Sequence, residues 1–140
     1  MQRFKIPPIE NPKFITNLEV RISDINYGNH LGNDSLVSLL HEARIRFFKE
    51  YNLSEINADG IGVLVTTLVV NYKGQAFHGD SLEIKIAAEQ SSATSIDLMY
   101  ELTKKHNQKE VARAINTVTF YDYNLKKVVK IPDEFFALTH

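Results

Sequence analysis

The residues best equipped for chemistry lie together in one short stretch, residues 24–34. It contains two carboxylates, Asp24 and Asp34, the imidazole of His30, and amides that include Asn26 and Asn33. A carboxylate or an imidazole can deprotonate a water molecule, and an amide can orient one. The stretch therefore has the residue types of an acid–base site, although the same types also build ordinary turns and helix caps.

A helix predicted directly after this stretch adds a second chemical property. Between residues 35 and 51 apolar side chains recur at helical spacing and form one broad face. These side chains are Leu36, Val37, Leu39, Leu40, Ala43, Phe47 and Phe48. We expect Asn33 or Asp34 to cap the helix. A helix start leaves backbone N–H groups unpaired and carries partial positive charge, so it can polarise a carbonyl oxygen.

The remaining apolar pattern predicts five strands around this helix. They lie at residues 18–22, 61–72, 82–87, 96–102 and 111–123. The continuous apolar run of the second strand is predicted to be well covered, and the short turns between later strands favour antiparallel neighbours. We therefore predict one α+β domain over residues 1–140, with a sheet wrapped against one helix. Residues 1–13, which hold three prolines, should form an extended N-terminal arm.

Composition excludes several classes of function. The 140 residues include 16 basic and 17 acidic side chains, a formal net charge of −1, so no electrostatic footprint for nucleic acid is present. No apolar run approaches the ~20 residues of a membrane helix, and the first eight residues lack the apolar core of a signal peptide, which predicts a cytoplasmic protein. Cysteine is absent and no two of the five histidines are four residues apart, so we expect no bound metal.

Several short motifs resemble one known family. Residues 24–33 read Asp-Ile-Asn-Tyr-Gly-Asn-His-Leu-Gly-Asn, and residues 41–44 read His-Glu-Ala-Arg. With Tyr-Lys-Gly at residues 72–74 and His-Gly-Asp-Ser-Leu at residues 78–82, they resemble the hotdog-fold acyl-CoA thioesterases, especially the 4-hydroxybenzoyl-CoA thioesterase-like branch. That family commonly has Asp-x-Asp-x-x-Gly-His-x-Asn-Asn in the loop and Glu-Glu-Ala-Arg in the helix. The resemblance implies a long central helix wrapped by a five-stranded antiparallel sheet.

The resemblance also implies a reaction, the hydrolysis of an acyl-CoA or acyl-carrier thioester, with no cofactor beyond the coenzyme A of the substrate. The second Asp of the family loop, which acts as nucleophile or base, is replaced here by Asn26, and an amide can do neither. A second arrangement of the fold uses an acidic residue on the helix, which makes Asp34 and Glu42 candidate bases and His30 the alternative. Asn26 or Asn33 would orient the water, and backbone N–H groups at the helix start would hold the carbonyl oxygen.

Each candidate base also has a structural role open to it. Asp34 can serve as a helix cap, and Glu42 can form a salt bridge to Arg44 or Arg46. His30 can simply hydrogen-bond the backbone of its turn.

Two other functions remain open. A hotdog hydratase or dehydratase carries an Asp-x-Asn-Pro-x-His loop, which resembles Asp24-x-Asn26 followed by His30, but the Pro is missing here and the His comes one residue later. A catalytically silent acyl-CoA-binding protein is the other alternative, because Asn26 replaces the usual carboxylate.

The substrate's nucleotide and acyl chain suggest further contacts. Phosphates favour basic side chains at the mouth of the site. The candidates are Lys73, Lys104, Lys105 and Arg113. An apolar tunnel beside Phe47, Phe48 and the strand at residues 63–70 would take the acyl chain.

An assembly is also expected. An exposed apolar edge on the strand at residues 61–72 would be unfavourable in a soluble protein. We therefore predict a homodimer, or a homotetramer made of two dimers, with the substrate site at the subunit boundary.

Overall fold

The computed structural model describes residues 4–140 and has the predicted α+β architecture. Its strands are β1 (Phe14–Glu19), β2 (Ile61–Tyr72), β3 (Ser81–Gln90), β4 (Ser95–Lys104), β5 (Glu110–Asp122) and β6 (Lys127–Val128). The long helix α1 (Asn33–Glu50) precedes β2, and short 3-10 helices lie at Ile22–Asp24 and Asp133–Leu138. The sheet has six strands instead of five because the two-residue β6 pairs with β5.

The sheet is antiparallel throughout, with the strand order β1-β3-β4-β5-β2. Strands β1 and β2 are therefore its two edges. The register of β2 against β5 places Leu68 opposite Asn116 and Tyr72 opposite Ala112, with an irregularity between Val65 and Thr67. Because side chains alternate along a strand, every second residue of β5 faces α1. The irregularity in β2 shifts the alternation of that strand by one residue.

The core lies between α1 and the concave face of the sheet. The predicted apolar face of α1 is buried at Leu36, Leu39, Leu40, Ala43, Phe47 and Phe48. Phe47 is 0% exposed, and its ring centroid lies 5.6 Å from those of Phe14 and Tyr51. Phe48 packs on Phe135 of the C-terminal 3-10 helix. Both residues therefore fill the core.

The first strand lies earlier than the sequence predicts. It ends at Glu19, and Ile22 is 70% exposed within a 3-10 turn. The backbone N–H of Arg21 donates to the Asp24 carboxylate (2.8 Å), which turns the chain out of the sheet. The alternation of apolar residues extends into this turn, to Ile22, and the prediction of a strand at residues 18–22 was therefore wrong in its bounds.

The start of α1 also differs from the prediction. The helix begins at Asn33 and its N-cap is Gly32, with no side-chain capping hydrogen bond, so neither Asn33 nor Asp34 is the cap. The N–H of Gly32 donates to the Asp24 carbonyl (3.0 Å), and this bond draws the helix start against the preceding turn. A backbone contact across the loop thus sets the helix start one or two residues earlier than the side chains indicate.

Strand β2 is less covered than predicted. Leu64, Val65, Leu68 and Tyr72 are 36–56% exposed. The reason is topological: β2 pairs with β5 on one side and forms an edge of the sheet on the other. Within residues 4–140, an apolar edge strand is therefore open to solvent.

The N-terminal arm lies against this sheet. Residues 4–13 form neither helix nor strand. The buried Ile6 donates its N–H to Asn71 (2.8 Å) and accepts from the Arg113 guanidinium (2.9 Å). Residues 1–3 of the predicted arm lie outside the described residues. Over the described range, neither α1 nor the short helices have the length and apolarity to cross a membrane.

Candidate active site

The loop before α1 is folded around the side chain of Asn26. The Oδ1 atom of Asn26 accepts hydrogen bonds from the backbone N–H groups of Gly28 (2.9 Å) and His30 (3.4 Å). The backbone N–H of Asn26 donates to the His30 carbonyl (2.9 Å). Asn29 has a φ of 64°, a left-handed conformation that Asn tolerates better than most residues. The amide that replaces the family's carboxylate therefore holds the loop in shape.

These contacts fix the orientation of His30. Its Nδ1 lies 3.2 Å from the Leu31 carbonyl oxygen, which can only accept a hydrogen bond. Nδ1 therefore carries the proton in the neutral imidazole, and Nε2 has the free lone pair. A Cβ atom at residue 28 would lie 3.3 Å from Nε2, so Gly28 keeps the space in front of this nitrogen open.

Asp24 has a structural role beneath the loop. Its side chain is buried and accepts from the backbone N–H, Nε and Nη2 of Arg21. Burial alone would raise the pKa of Asp24, but these hydrogen bonds and the charge of Arg21 outweigh it and hold the pKa below its ordinary value. Asp24 is thus an ionised anchor of the turn and is poorly suited to donate a proton.

The first turn of α1 supplies hydrogen-bond donors. The N–H of Leu36 is already paired with the Gly32 carbonyl (2.9 Å), and the N–H of Asp34 donates to the Asn33 side chain (2.9 Å). The N–H groups of Asn33 and Ser35 have no intrahelical acceptor, since the first turn of any helix lacks one. They are therefore available to a carbonyl oxygen brought to the helix start.

A surface cleft of about 600 Å³, the loop cleft, brings these groups together. It is lined by Asn26, Tyr27, Gly28, His30, Leu31, Asn33, Tyr72, Gly74 and Gln75. Three of the five predicted catalytic residues, Asn26, His30 and Asn33, therefore share one cavity. Asp34 is exposed at the rim of this cleft, close enough to Tyr72 for its charge to act on the phenol. Partial burial, and secondly the charge of Asp34, raises the pKa of Tyr72.

Glu42 lies elsewhere on the helix. Its carboxylate accepts from Nε of Arg46 (2.9 Å), which confirms one of the two salt bridges considered for it. Arg46 also donates to Thr16 and to the Asn17 carbonyl of β1. Glu42 therefore faces the β1 side of the helix and does not line the loop cleft.

A second cleft of about 530 Å³, the lysine cleft, adjoins the first. It is lined by Lys73, Gly74, Gln75, Phe77, Lys104, Lys109 and Glu110, so the two clefts share Gly74 and Gln75. A Cβ atom on residue 74 would lie 2.8 Å from the Glu110 carbonyl oxygen, which is too close for any side chain. This contact explains why a glycine lies where the two clefts meet.

The four predicted phosphate-binding residues divide into two groups. Lys73 and Lys104 line the lysine cleft, and the ammonium of Lys104 lies 3.8 Å from the Asp80 carboxylate. Arg113 is engaged by both oxygens of Glu110 and by the Ile6 carbonyl, and Lys105 is exposed on the β4–β5 hairpin; neither lines the cleft.

Polar residues of these clefts that sequence reasoning did not assign to the site include Tyr72, Gln75 and Lys109. Tyr72 is the last residue of β2, and Gln75 follows three residues later. Strand β2 runs back along α1, so both residues lie near the helix start. The Tyr-Lys-Gly motif at residues 72–74, which contains Tyr72 and directly precedes Gln75, was the signal available for them. No group of three or more His, Asp or Glu residues in the described part of the chain is arranged to hold a metal ion.

Comparisons with solved structures give the same fold. A 1,4-dihydroxy-2-naphthoyl-CoA thioesterase from Synechocystis superposes with a TM-score of 0.83 at 18% identity, covering 89% of this chain and 93% of that one. A gentisyl-coenzyme A thioesterase gives 0.80 at 15% identity, covering 91% and 100%. A hypothetical protein from Aquifex aeolicus gives 0.82 at 20% identity, covering 91% and 99%.

Sequence comparison supplies the family. A search of curated protein sequences gives no significant match. The sequence model of the thioesterase-like superfamily, however, matches residues 20–138. The predicted resemblance and the hotdog fold are thereby confirmed. Because the match extends over most of the 140 residues, the chain belongs to the thioesterase-like superfamily, and thioester hydrolysis is its reaction class.

Proposed function

We propose that this protein hydrolyses acyl-CoA thioesters, with the reacting carbonyl in the loop cleft and the nucleotide of coenzyme A in the lysine cleft. The observation that carries the proposal is the adjacency of the two clefts through Gly74 and Gln75. One cleft offers an imidazole nitrogen and a helix start, and the other offers three ammonium groups. A thioester with a phosphate-bearing thiol needs both kinds of surface.

The proposed reaction uses His30 as general base. The carbonyl oxygen accepts from the N–H groups of Asn33 and Ser35 while Nε2 of His30 takes a proton from water. The water oxygen attacks the carbonyl carbon, and the oxyanion forms at the helix start, where partial positive charge stabilises it. The carbon–sulfur bond then breaks, and the thiolate takes the proton back from the imidazolium, which leaves the acid and free coenzyme A.

The other candidates take lesser parts in this proposal. Asn26 holds the loop and the orientation of His30, because its Oδ1 is occupied by two backbone N–H groups. Asn33 contributes its backbone to the oxyanion site. Asp34, at the rim, is the rival base, whereas Glu42 is paired with Arg46 outside the cleft.

The nucleotide assignment predicts a selective loss of affinity. Replacing Lys73 and Lys109 together by Ala should raise KM for an acyl-CoA by about tenfold, since two exposed charge-assisted contacts to phosphate are worth roughly 1.4 kcal/mol. KM for the matching N-acetylcysteamine thioester, which lacks the nucleotide, should stay unchanged. Steady-state kinetics on both substrates measures the difference.

Lys105→Ala is the matched control, because Lys105 is exposed on the same hairpin but does not line the lysine cleft. Equal effects of the double replacement on both substrates, or an equal effect of the control, would reject the assignment.

We also propose that the protein is a homodimer paired through β2, or a tetramer of such dimers, with the loop cleft close to the subunit boundary. Strand β2 is an edge 12 residues long, with Val65 48% exposed and Leu68 39% exposed. A long apolar edge of this kind favours pairing with a second strand. Tyr72, at its end, lines the loop cleft, so pairing would bring the second subunit beside the site.

Lysine is a residue with which proteins block strand edges, so Val65→Lys should convert the dimer to a monomer of about 16 kDa. Light scattering at micromolar concentration measures the mass. Ile22→Lys, at an exposed apolar residue outside the strands, should leave the mass unchanged. A parent protein that is already monomeric would contradict the proposed assembly.

A further inference from the structure

A third cavity, which we call the asparagine cavity, lies between α1 and β2 and measures about 200 Å³. Its apolar wall consists of Val37 and Leu40 of α1 and Val65 and Leu68 of β2. Its polar wall consists of His41, Arg44 and Asn116. None of these residues lines the loop cleft.

Asn116 presents an unpaired donor at this cavity. The residue is 2% exposed, and its Oδ1 accepts a hydrogen bond from the Tyr100 hydroxyl. Its Nδ2 is the one buried side-chain polar atom in residues 4–140 that has no hydrogen-bond partner. Buried amide N–H groups in proteins are nearly always paired, so this nitrogen points to an acceptor that is supplied from outside the subunit's own side chains.

The neighbouring charges are balanced. The buried guanidinium of Arg44 donates from Nε to Glu55 (2.8 Å), whose other oxygen lies 2.7 Å from Nε2 of His41. The guanidinium also lies beside the Tyr100 hydroxyl. Because Arg44 already has a carboxylate partner, the cavity offers hydrogen-bond donors without a net positive charge to be neutralised. A neutral oxygen atom fits this environment better than a carboxylate does.

The asparagine cavity and the loop cleft lie along the same two elements. Asn33 of α1 and Tyr72 of β2 line the loop cleft. His41 of α1 and Leu68 of β2 line the asparagine cavity, so this cavity lies farther along both elements from the helix start. Eight residues of helix separate Asn33 from His41, which corresponds to about 12 Å. A molecule whose carbonyl lies at the helix start would therefore need a chain of about this length to reach Asn116.

We infer that the asparagine cavity binds the far end of the acyl group and selects acyl chains that carry a neutral oxygen, a hydroxyl or a ketone, about 12 Å from the thioester carbonyl. The inference rests on the proposed thioesterase function. The oxygen accepts a hydrogen bond from Nδ2 of Asn116, while Val37, Leu40, Val65 and Leu68 contact the methylene groups. A site built to hydrogen-bond an oxygen rejects the analogue that lacks it, because its own donor is then left unpaired.

The test compares terminal-hydroxy acyl-CoAs of about nine to eleven carbons, in which an extended chain places the hydroxyl oxygen about 12 Å from the carbonyl carbon, with plain acyl-CoAs of equal length. For the best length, kcat/KM for the parent should be at least about tenfold higher with the hydroxyl, the change expected for one hydrogen bond to a buried donor. Asn116→Leu, which removes the amide at similar volume, should abolish this preference.

Ser95→Ala is the matched control: it removes a buried hydrogen bond to Thr119 outside the cavity and should keep the preference. Equal kcat/KM for hydroxylated and plain chains in the parent, or a preference that survives in a folded Asn116 variant, would overturn the inference while hydrolysis itself stands. If the parent hydrolyses none of these thioesters, the proposed function fails. Titration calorimetry with the same compounds then tests the asparagine cavity: tighter binding of the hydroxylated chain supports the inference, and equal binding overturns it.

Discussion

Replacing His30 by Gln is expected to lower kcat for acyl-CoA hydrolysis by at least about 100-fold, the lower range for loss of a general base. Gln keeps a neutral polar side chain of similar length, but it has no basic nitrogen, so the substitution removes the proposed base. KM should change little, because His30 is assigned to the water and not to the nucleotide. Steady-state kinetics with one acyl-CoA, together with a thermal unfolding curve, measures both properties.

The competing bases provide the controls. Asp34→Asn and Glu42→Gln remove basicity at nearly constant shape, and each should change kcat by only a few-fold. If Asp34→Asn lowers kcat about 100-fold and His30→Gln lowers it little, Asp34 at the rim of the loop cleft is the base instead of His30. Asn26→Asp restores the family's carboxylate, and its kinetics would show whether this loop can still use one.

Replacing Phe47 by Ala is expected to lower the free energy of unfolding by about 3–5 kcal/mol, the range for deletion of a buried aromatic side chain. Phe47 is fully buried and packs on Phe14, Phe48 and Tyr51, so little surrounding structure can close the cavity. Urea unfolding of parent and variant at one protein concentration measures the difference, since an assembled protein's stability depends on concentration.

Phe77→Ala is the control for this loss. Phe77 is 44% exposed, and its replacement should change the free energy of unfolding by less than about 1 kcal/mol. A loss below about 1 kcal/mol for Phe47→Ala as well would show that the helix is not packed on the sheet as described.

Phe47 also illustrates how much of the fold can be read from the sequence. Helical spacing of apolar residues predicted that this face of α1 is buried, because burial of one face is what stabilises an amphipathic helix. Alternation predicted the later strands in the same way. The bounds of β1 and the cap of α1 were missed, because they depend on hydrogen bonds of Asp24 that cross the loop. Spacing along the chain does not encode such contacts.

The site was predictable only where its residues are close in sequence. Asn26, His30 and Asn33 lie within one loop, and the structure places them in one cleft. Tyr72 and Lys109 reach the two clefts through the pairing of distant strands, and their types alone do not mark them. The unpaired amide of Asn116 is a property of packing, which a sequence pattern cannot show.

Release of free thiol from a panel of acyl-CoAs by the purified protein tests most directly whether the loop cleft hydrolyses thioesters. The parent should release coenzyme A and the free acid in equal amounts, and His30→Gln should lower the rate at least about 100-fold while remaining folded. Loss of enoyl-CoA absorbance without thiol release would instead indicate hydration. Saturable binding of acyl-CoA with no thiol released from any member of the panel would contradict the hydrolytic function.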